Sequence, residues 1–419
     1  MHHTGHVFEA QTGLTRRRFL QVGSTGLLSV SLRGLHAHAQ DRAAVPGDAA
    51  ATPEYLTREE NFKNVGRGKP PPGDLSDQRR REAGLTPETW QLEVVADPES
   101  DSKLDRPLTR AQGTALHWEA LMKLADTQAV RFLHVMSCTN MSGPLGLGLW
   151  EGVPLREVLW MARPTANVRR VFYHGYHNED PKQRFQSSLT LNRVLEDPPG
   201  EWPVILCYKL NGQWLTPKRG GPVRLIAPGL YGNKSVKWLQ RIVLTNNPGL
   251  NDTYAEWNND TESPLKTCAF FRDVPEQVSA GCPVAVTGMA QVGMAGLRRV
   301  EYFLQPQDQP WPADDPYFSK AGWRAAEVLP PPSDWGGGLP GGKLPPGVLG
   351  FSVGVRVPLQ WPMPNSIVHW RAVLANLAPG RYELRCRSID ANGAAQPMPR
   401  PLPKSGHNAI QRAAIVVEA

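Results

Sequence analysis

The 419-residue sequence predicts an α+β protein with a mixed α/β part followed by a β-sandwich. Glycine (39) and proline (40) make up about a fifth of the chain, which favours strands and loops over an all-helical fold. Up to residue 262, apolar runs typical of buried strands are interspersed with short segments of helical spacing. From Ser263 onward, short alternating segments separated by turns such as Asn392-Gly393 predominate, which indicates a sandwich.

The N-terminus predicts an export signal. Arginines at 16, 17 and 18 precede Phe19-Leu20, an apolar stretch runs from Val22 to Leu32, and Ala37-His38-Ala39 offers a small-x-small cleavage site. The apolar stretch is too short to span a bilayer. We therefore predict a twin-arginine signal peptide at residues 1–39 and a periplasmic protein. That route exports folded proteins, commonly because a cofactor is inserted in the cytoplasm.

The charge balance excludes one class of partner. The formal net charge is +7, and loss of residues 1–39 removes four arginines and one glutamate, so a small positive charge remains. Basic residues do not alternate with aromatic ones along the chain, so the sequence gives no support for nucleic-acid binding. A modest positive charge suits an anionic substrate or an acidic partner.

The predicted elements follow from hydrophobic periodicity. In the first part, strands are expected at Trp90–Val95, Phe132–Met136, Val168–Tyr173 and Val204–Tyr208, and helices at Thr114–Leu124, from Leu155 and at Leu191–Leu195. A glycine-rich bend is expected at Gly143, Gly146 and Gly148, and a hairpin turn at Asn211-Gly212. In the second part, strands are expected at Val284–Gly288, Arg299–Phe303, Ile367–Leu374, Tyr382–Cys386 and Ala414–Val417. Residues 306–364, rich in Pro, Gly and Trp, are expected to form a long excursion.

Five cysteines, at 138, 207, 268, 282 and 386, lie far apart. No CxxC or CxxCH spacing occurs, so neither a structural zinc nor a haem attached to this chain is predicted. A disulfide among Cys207, Cys268, Cys282 and Cys386 stays open, and the sequence does not choose a pair. Cys138 ends an apolar strand and faces a glycine-rich loop. A thiol there is placed to ligate a soft metal or to act as a nucleophile, although a lone cysteine is often only a small buried hydrophobe.

Two further segments could bind a ligand. Glycines flanked by Arg219, Arg224 and Lys237 between residues 217 and 242 would form a cradle for a phosphate, although basic loops are often only solvated. A polar loop contains His174 and His177, which either line a pocket or face solvent.

Five motifs follow one another along the chain. They are Cys138 after a strand, Trp150-x-Gly152-Val-Pro-Leu-x-x-Val-Leu159, Asn211-Gly212-x-x-Leu215-x-Pro217, Gly221-Pro-Val-Arg224-Leu-Ile-x-Pro228-Gly229 and Gly232-x-x-Ser235-Val-Lys237-Trp238-Leu. Their order resembles the sulfite oxidase family of molybdenum enzymes, which includes sulfite dehydrogenases, sulfane dehydrogenase subunits and a methionine-sulfoxide reductase subunit. Two later motifs, Asp390-x-x-Gly393-x-x-Gln396-Pro397 and Gly406-His-Asn408-Ala409-x-x-Arg412, resemble the closing strands of that family's second domain.

The resemblance implies a domain organisation. A flexible linker at 40–60 would lead into a sulfite-oxidase-type molybdopterin-binding catalytic domain at 61–262. An immunoglobulin-like dimerisation domain would occupy 263–419, and the chain would form a homodimer through it.

The resemblance also implies a site. Molybdenum held by one pyranopterin dithiolene would take Cys138 as its protein ligand. The cofactor-binding residues implied are Cys138, Asn61, Phe62, Lys63, Ser187, Arg219, Arg224, Ser235, Val236 and Lys237, with Ser188, His174 and His177 as further candidates. The catalytic residues implied are Cys138, Arg224, Lys63 and Tyr254, with Tyr231 as an alternative to Tyr254. Two features depart from the family: Thr139-Asn140-Met141-Ser142 lacks the usual basic pair, and Lys63-Asn64 stands where the family has Arg-Asn.

The expected function is oxygen-atom transfer on a sulfite-like sulfur oxyanion, with electrons passing to an external c-type cytochrome or haem subunit. Two alternatives stay open. One is a molybdenum-dependent sulfoxide reductase, to which the short spacing between Cys138 and Trp150 is closer. The other is a non-catalytic subunit of an electron-transfer complex.

Overall fold

The computed structural model describes residues 54–65, 70–139, 141, 143–165, 167–176, 185–198, 200–247, 261–310, 314–315, 318–354, 356–396 and 408–419. These residues belong to one compact unit, which runs from Ala49 to Ala419. The fold is mixed α/β, with many strands and few helices. The predicted signal peptide at 1–39 and most of the predicted linker lie outside the described residues.

The first part contains ten strands and four helices among the described residues. The strands are β1 (Gln91–Ala96), β2 (Leu116–His117), β3 (Val130–Met136), β4 (Gly146–Pro154), β5 (Arg170–Gly175), β6 (Gln186–Thr190), β7 (Ile205–Leu210), β8 (Gln213–Trp214), β9 (Arg224–Ile226) and β10 (Leu239–Thr245). The helices are α1 (Asp77–Glu82), α2 (Trp118–Gln128), α3 (Leu155–Ala162) and α4 (Leu191–Leu195).

These strands form two sheets. One has the order β2-β1-β10-β5-β6, in which β1 and β10 are parallel and the other pairs antiparallel. The other has the order β3-β4-β7-β8, and β9 also pairs with β7. Side chains from β1, β5 and β10 share one core with those of α3 and β7. The second sheet carries the end of β3, where Cys138 follows.

Two predicted elements differ from the structure. The helix expected from Thr114 begins at Trp118, because Leu116 and His117 pair with β1 as a short strand and His117 caps the helix. The expected glycine-rich bend is wrong at Gly146 and Gly148, which lie inside the fully buried strand β4. Glycine is needed there for packing: a Cβ on Gly148 would lie 2.4 Å from the Leu210 side chain.

The other strands of the first part agree with their predicted positions to within a few residues. The predicted hairpin turn is confirmed at Asn211 and Gly212, which adopt φ of 50° and 78° between β7 and β8. Helix α3 begins at Leu155 and helix α4 at Leu191, as predicted.

The second part is built from strands. They are β11 (Cys268–Asp273), β12 (Gln277–Ser279), β13 (Val284–Gln291), β14 (Arg299–Pro306), β15 (Arg324–Ala325), β16 (Glu327–Val328), β17 (Ile367–Leu374), β18 (Gly380–Ile389) and β19 (Gln411–Glu418). They form two sheets, ordered β11-β13-β17-β16 and β12-β19-β18-β14-β15. Apolar side chains of both sheets share one core around Trp370, Leu384 and Ile415. The immunoglobulin-like character of this pair of sheets stays a prediction.

The two parts pack against each other through a mixed apolar cluster. Leu133 and Val135 of β3 meet Leu265, Met363 and Ile367 from the second part. The excursion at 306–364 supplies Trp335, Leu344 and Phe351 to the same cluster, so it covers the first part. All five cysteines are free thiols in the structure. None of the described helices is long and apolar enough to cross a membrane.

Candidate functional site

A pocket opens at the end of β3. It brings together eight of the predicted site residues: Phe62, Lys63, Cys138, Arg219, Arg224, Ser235, Val236 and Lys237. Its remaining walls are Val65, Met136, Ser137, Thr139, Leu145, Phe185, Gly232, Asn233 and Trp238. Cys138 is half-buried in this pocket. Residues separated by up to 176 positions in the chain therefore converge on one thiol.

The backbone around Cys138 is fixed by neighbouring loops. The N–H of Gly232 donates to the carbonyl of Ser137 at 2.7 Å, and the N–H of Leu145 donates to that of Met136 at 2.8 Å. A Cβ on Gly232 would lie 3.0 Å from the Ser137 oxygen, so glycine permits this close approach. The thiol therefore projects from a backbone that is held on both sides.

Arg219 joins the pocket to the N-terminal arm. Its Nε lies 3.0 and 3.1 Å from the two carboxylate oxygens of Glu59, and its terminal nitrogens donate to the carbonyls of Glu59, Phe62 and Lys63. Its guanidinium also lies over the ring of Phe62, 5.2 Å from the centroid. These contacts satisfy most of its donors, so Arg219 holds the arm against the pocket.

Arg224 is a buried residue of the pocket lining. Its Nη1 donates to the carbonyl of Arg219 at 3.0 Å, and its Nη2 donates to that of Ser235 at 2.9 Å. The guanidinium packs over the Trp150 ring at 5.3 Å. Burial lowers the pKa of Arg224 to about 10, so it stays protonated at neutral pH. Its Nε is buried and has no hydrogen-bond partner among the described residues.

The segment from Ser235 to Lys237 closes the pocket on another side. Ser235 Oγ accepts a hydrogen bond from the N–H of Ala227 at 3.1 Å, which fixes the segment against the end of β9. Lys237 Nζ donates to Asn64 Oδ1 at 2.6 Å and to the carbonyls of Val65 and Lys218. Burial and the charges of Arg224 and Arg219 hold the pKa of Lys237 well below its usual value.

Several predicted residues lie elsewhere. Asn61 is exposed, and Ser187 is buried on β6; neither lines the pocket. Ser188 Oγ accepts from Arg170 at 2.8 Å, and Ser188 is also away from the pocket wall. His174 is part of β5 and does not line the pocket. His177 and Tyr254 lie outside the described residues.

The roles assigned to the pocket residues stay predictions. Tyr231, the alternative to Tyr254, is buried and does not line the pocket.

The structure also identifies residues that the sequence reasoning missed. Ser137, Thr139 and Asn233 also line the pocket, and their only signal was that they stand next to Cys138 or inside the Gly232–Leu239 motif. His134, two residues before Met136, is fully buried, and both ring nitrogens lack a hydrogen-bond partner among the described residues. Burial, followed by the charges of Arg224 and Arg193, lowers the pKa of His134 to about 3.

The pocket's chemistry fits a molybdenum–pyranopterin group. The fit rests on three groups. They are the Cys138 thiol as a soft sulfur ligand for a metal, the buried Arg224 Nε as a donor, and the buried Asn233 Oδ1 as an acceptor; the latter two lack partners among the described residues. An anionic cofactor with heterocyclic N–H groups could satisfy the second and third. Arg219, Arg224, Lys63 and Lys237 give the pocket positive charge for such a group.

Comparison with known proteins agrees with this chemistry. Residues 82–254 match the sequence family described as "Oxidoreductase molybdopterin binding domain". The chain is 37% identical over 107 residues to a nitrate reductase (NADPH) of Beauveria bassiana, an alignment that covers 26% of this chain and 12% of that protein. It is 39% identical over 102 residues to a nitrate reductase (NADH) of Volvox carteri, covering 23% of this chain and 12% of that protein. The chain thus spans only a small part of these relatives' length.

A solved structure shares the fold. The sulfane dehydrogenase SoxCD of Paracoccus pantotrophus superposes with a TM-score of 0.53 at 16% identity, covering 80% of this chain and 79% of that chain. This likeness extends across both parts of the chain. The family match places an oxidoreductase molybdopterin-binding domain at residues 82–254, and the shared fold and the convergent pocket agree with it.

Proposed function

We propose that this protein transfers an oxygen atom to or from a sulfur-centred substrate at a molybdenum–pyranopterin group ligated by Cys138. The observation that carries the proposal is the half-buried Cys138 thiol in a pocket whose buried Arg224 Nε and Asn233 Oδ1 lack partners among the described residues. When bound, the group would supply the two-electron chemistry. The chain's own residues would orient it, neutralise its negative charge and restrict water.

Each pocket residue has a task in this proposal. Cys138 would bind the metal as a thiolate, and Arg224 would donate through its free Nε to an anionic group of the cofactor. Ser235, Val236 and Lys237 would hold the phosphate, partly through backbone N–H groups. Phe62, Leu145 and Phe185 would exclude water from the reacting side of the pocket.

The leading substrate is a sulfite-like oxyanion. Its oxidation would take one oxygen from water and release two protons and two electrons, which an external c-type cytochrome or haem subunit would accept one at a time. The fold shared with the sulfane dehydrogenase SoxCD supports a sulfur substrate. We also propose export by the twin-arginine pathway to the periplasm and homodimerisation through an immunoglobulin-like C-terminal domain.

A second candidate is reduction of a sulfoxide. It is favoured because the basic side chains of the pocket already donate hydrogen bonds to protein acceptors. Arg219 is held by Glu59, Arg224 by two carbonyls and Lys237 by three oxygen acceptors. Met136, Leu145 and Phe185 add apolar wall near the thiol. A neutral, partly apolar substrate suits such a surface better than a dianion, because desolvating a charge costs more than desolvating a neutral group.

The test compares three substrates on one preparation. Sulfite-dependent reduction of cytochrome c, sulfoxide-dependent oxidation of a reduced dye and nitrate-dependent oxidation of the same dye would be measured on molybdenum-loaded protein. Activity with sulfite alone supports the leading candidate, and activity with sulfoxide alone supports the second. Turnover of nitrate alone would contradict a sulfur-centred substrate. Loaded protein inactive in all three assays would support the non-catalytic alternative.

A further inference from the structure

We infer that Gln291, which belongs to the second part of the chain, is a positioning residue for the Cys138 thiol. The inference rests on the proposed function only in taking the Cys138 thiol as a metal ligand. The contacts that carry it are independent of any cofactor. They run from the end of β13 to Ser137, the residue directly before Cys138.

The first contact is a side-chain hydrogen bond. Ser137 Oγ donates to Gln291 Oε1, and Gln291 Nε2 donates to the carbonyl of Lys266 at 2.7 Å. Since a carbonyl can only accept, the Lys266 contact sets which end of the amide faces Ser137. Gln291 is 1% exposed and Ser137 3% exposed, so water does not replace this bond. The Gln291 amide therefore holds the Ser137 side chain in one position.

The backbone of Gln291 is rigid. Gln291 is the last residue of β13, where it pairs with Cys268 of β11 and Ile367 of β17. A side chain mounted on a central strand is held more closely than one on a loop. Ser137, by contrast, lies just beyond the last residue of β3, where the strand ladder no longer holds it.

A second contact supports the same strand. β3 is the outer strand of its sheet, and the N–H of Val135 on its free edge donates to the carbonyl of Asn365 at 2.8 Å. The carbonyl of Ser137 accepts from Gly232 at 2.7 Å. Both the side chain and the carbonyl of Ser137 thus accept or donate a hydrogen bond that fixes them. The side-chain bond comes from Gln291, in a sheet of the second part.

This arrangement has a consequence for metal binding. A metal ligand must be held within a fraction of an ångström of its productive position, and contacts made through a neighbouring residue decide that position. Removing the Gln291 amide would leave Ser137 Oγ buried without its acceptor, so the turn carrying Cys138 would open more often. The second part would then contribute to the site directly, without lining the pocket.

The test measures the reactivity of the thiol without any metal. In a Cys282→Ser background, Cys207, Cys268 and Cys386 are fully buried, which leaves Cys138 as the half-exposed thiol. The full chain, produced in cells that make no molybdopterin, would be treated with iodoacetamide and the modified peptide identified by mass spectrometry. Gln291→Leu should raise the alkylation rate of Cys138 about three- to tenfold, as expected for loss of one buried hydrogen bond. In protein from cells that make the cofactor, it should lower bound molybdenum about tenfold.

A matched control is available beside the same sheets. Gln396 is also buried; its amide accepts from the N–H groups of Ala269 and Ser388 and donates to Ala409, with no bond to Ser137. Gln396→Leu should lower the thermal midpoint without changing the alkylation rate of Cys138. Ser137→Ala should reproduce the Gln291→Leu rate, the double variant should add nothing, and Ser137→Thr, which keeps the hydroxyl, should restore the slow rate.

Two results would overturn the inference. One is an unchanged alkylation rate in folded Gln291→Leu or, if that variant does not fold, in Ser137→Ala. The other is an equal acceleration by Gln396→Leu. Absence of molybdenum from the wild-type protein would defeat the proposed function instead, and the alkylation comparison would still decide the role of Gln291.

Discussion

The guanidinium of Arg219 faces the carboxylate of Glu59 with its Nε 3.0 Å from one oxygen and 3.1 Å from the other. Arg219 is nearly fully buried, whereas the Glu59 side chain is 41% exposed. The pair ties the arm that carries Phe62 and Lys63 to the pocket lining. The charge of the buried Arg219 is therefore compensated by a carboxylate that is partly exposed to solvent.

The first prediction concerns this ion pair. Glu59→Gln should lower the free energy of unfolding by about 1–2 kcal/mol, because it removes the charge that compensates the buried Arg219 guanidinium. The effect is no larger because the Glu59 carboxylate is itself partly solvated. Denaturant unfolding of the purified chain would measure the change. Glu60→Gln, an exposed neighbour, is the control and should change stability by less than about 0.5 kcal/mol. Equal effects of the two substitutions would contradict the ion-pair account.

The second prediction concerns acid stability. His134 has a folded-state pKa of about 3, against an ordinary value of 6.5, because burial disfavours its charged form. Between those values the unfolded chain binds a proton that the folded chain does not, so stability is lost as pH falls below 6.5. The loss from this group should approach about 1.4 kcal/mol per pH unit.

His134→Leu should remove this group's part of the slope between pH 6 and about pH 4, because no proton uptake remains at this position. The part due to His369, whose pKa burial lowers to about 4, should remain. The substitution should also leave stability at pH 7 unchanged or higher, since it deletes two buried nitrogens that lack partners among the described residues. Thermal midpoints across that pH range would measure both effects. His117→Gln, at an exposed histidine, should keep the wild-type slope. A wild-type slope in His134→Leu would show that another group controls acid stability.

The third prediction concerns the close packing of β4 on β7. A Cβ added at Gly152 would lie 2.3 Å from the carbonyl oxygen of Leu206 and 2.8 Å from the Cα of Cys207. Because both are backbone atoms in a paired strand, they cannot move aside cheaply, and Gly152→Ala should destabilise the protein by about 2–3 kcal/mol. Calorimetry would record the lower midpoint. Gly322→Ala, where a Cβ meets nothing within 4 Å, should be nearly neutral.

The sequence was most informative where one residue type determines local geometry. Asn211-Gly212 predicted a hairpin because both positions accept positive φ. The strands of the second part were predictable from their alternation, because one face of each sheet packs on a shared core. The glycines of β4 misled, because Gly146 and Gly148 lie in that strand to make room for Phe62 and Leu210, and no local pattern reveals a distant side chain.

The site divides in the same way. Cys138, Arg224 and Lys237 were found because their residue types carry chemistry within recognisable motifs. Gln291 was not found, since it lies 153 positions from Cys138 and acts through Ser137. Nor could the sequence foresee that Arg219 is taken up by Glu59, because the ion pair joins two parts of the chain 160 residues apart.

The most direct test of the account is the molybdenum content of the purified protein. Wild-type protein should contain about one molybdenum atom per chain, measured by elemental analysis, and Cys138→Ser should lose it, because a serine oxygen is a poor replacement for a thiolate sulfur. Cys282→Ser, at an exposed cysteine outside the pocket, should keep the metal. A folded Cys138→Ser variant that retains full molybdenum and activity would contradict the assignment of this site.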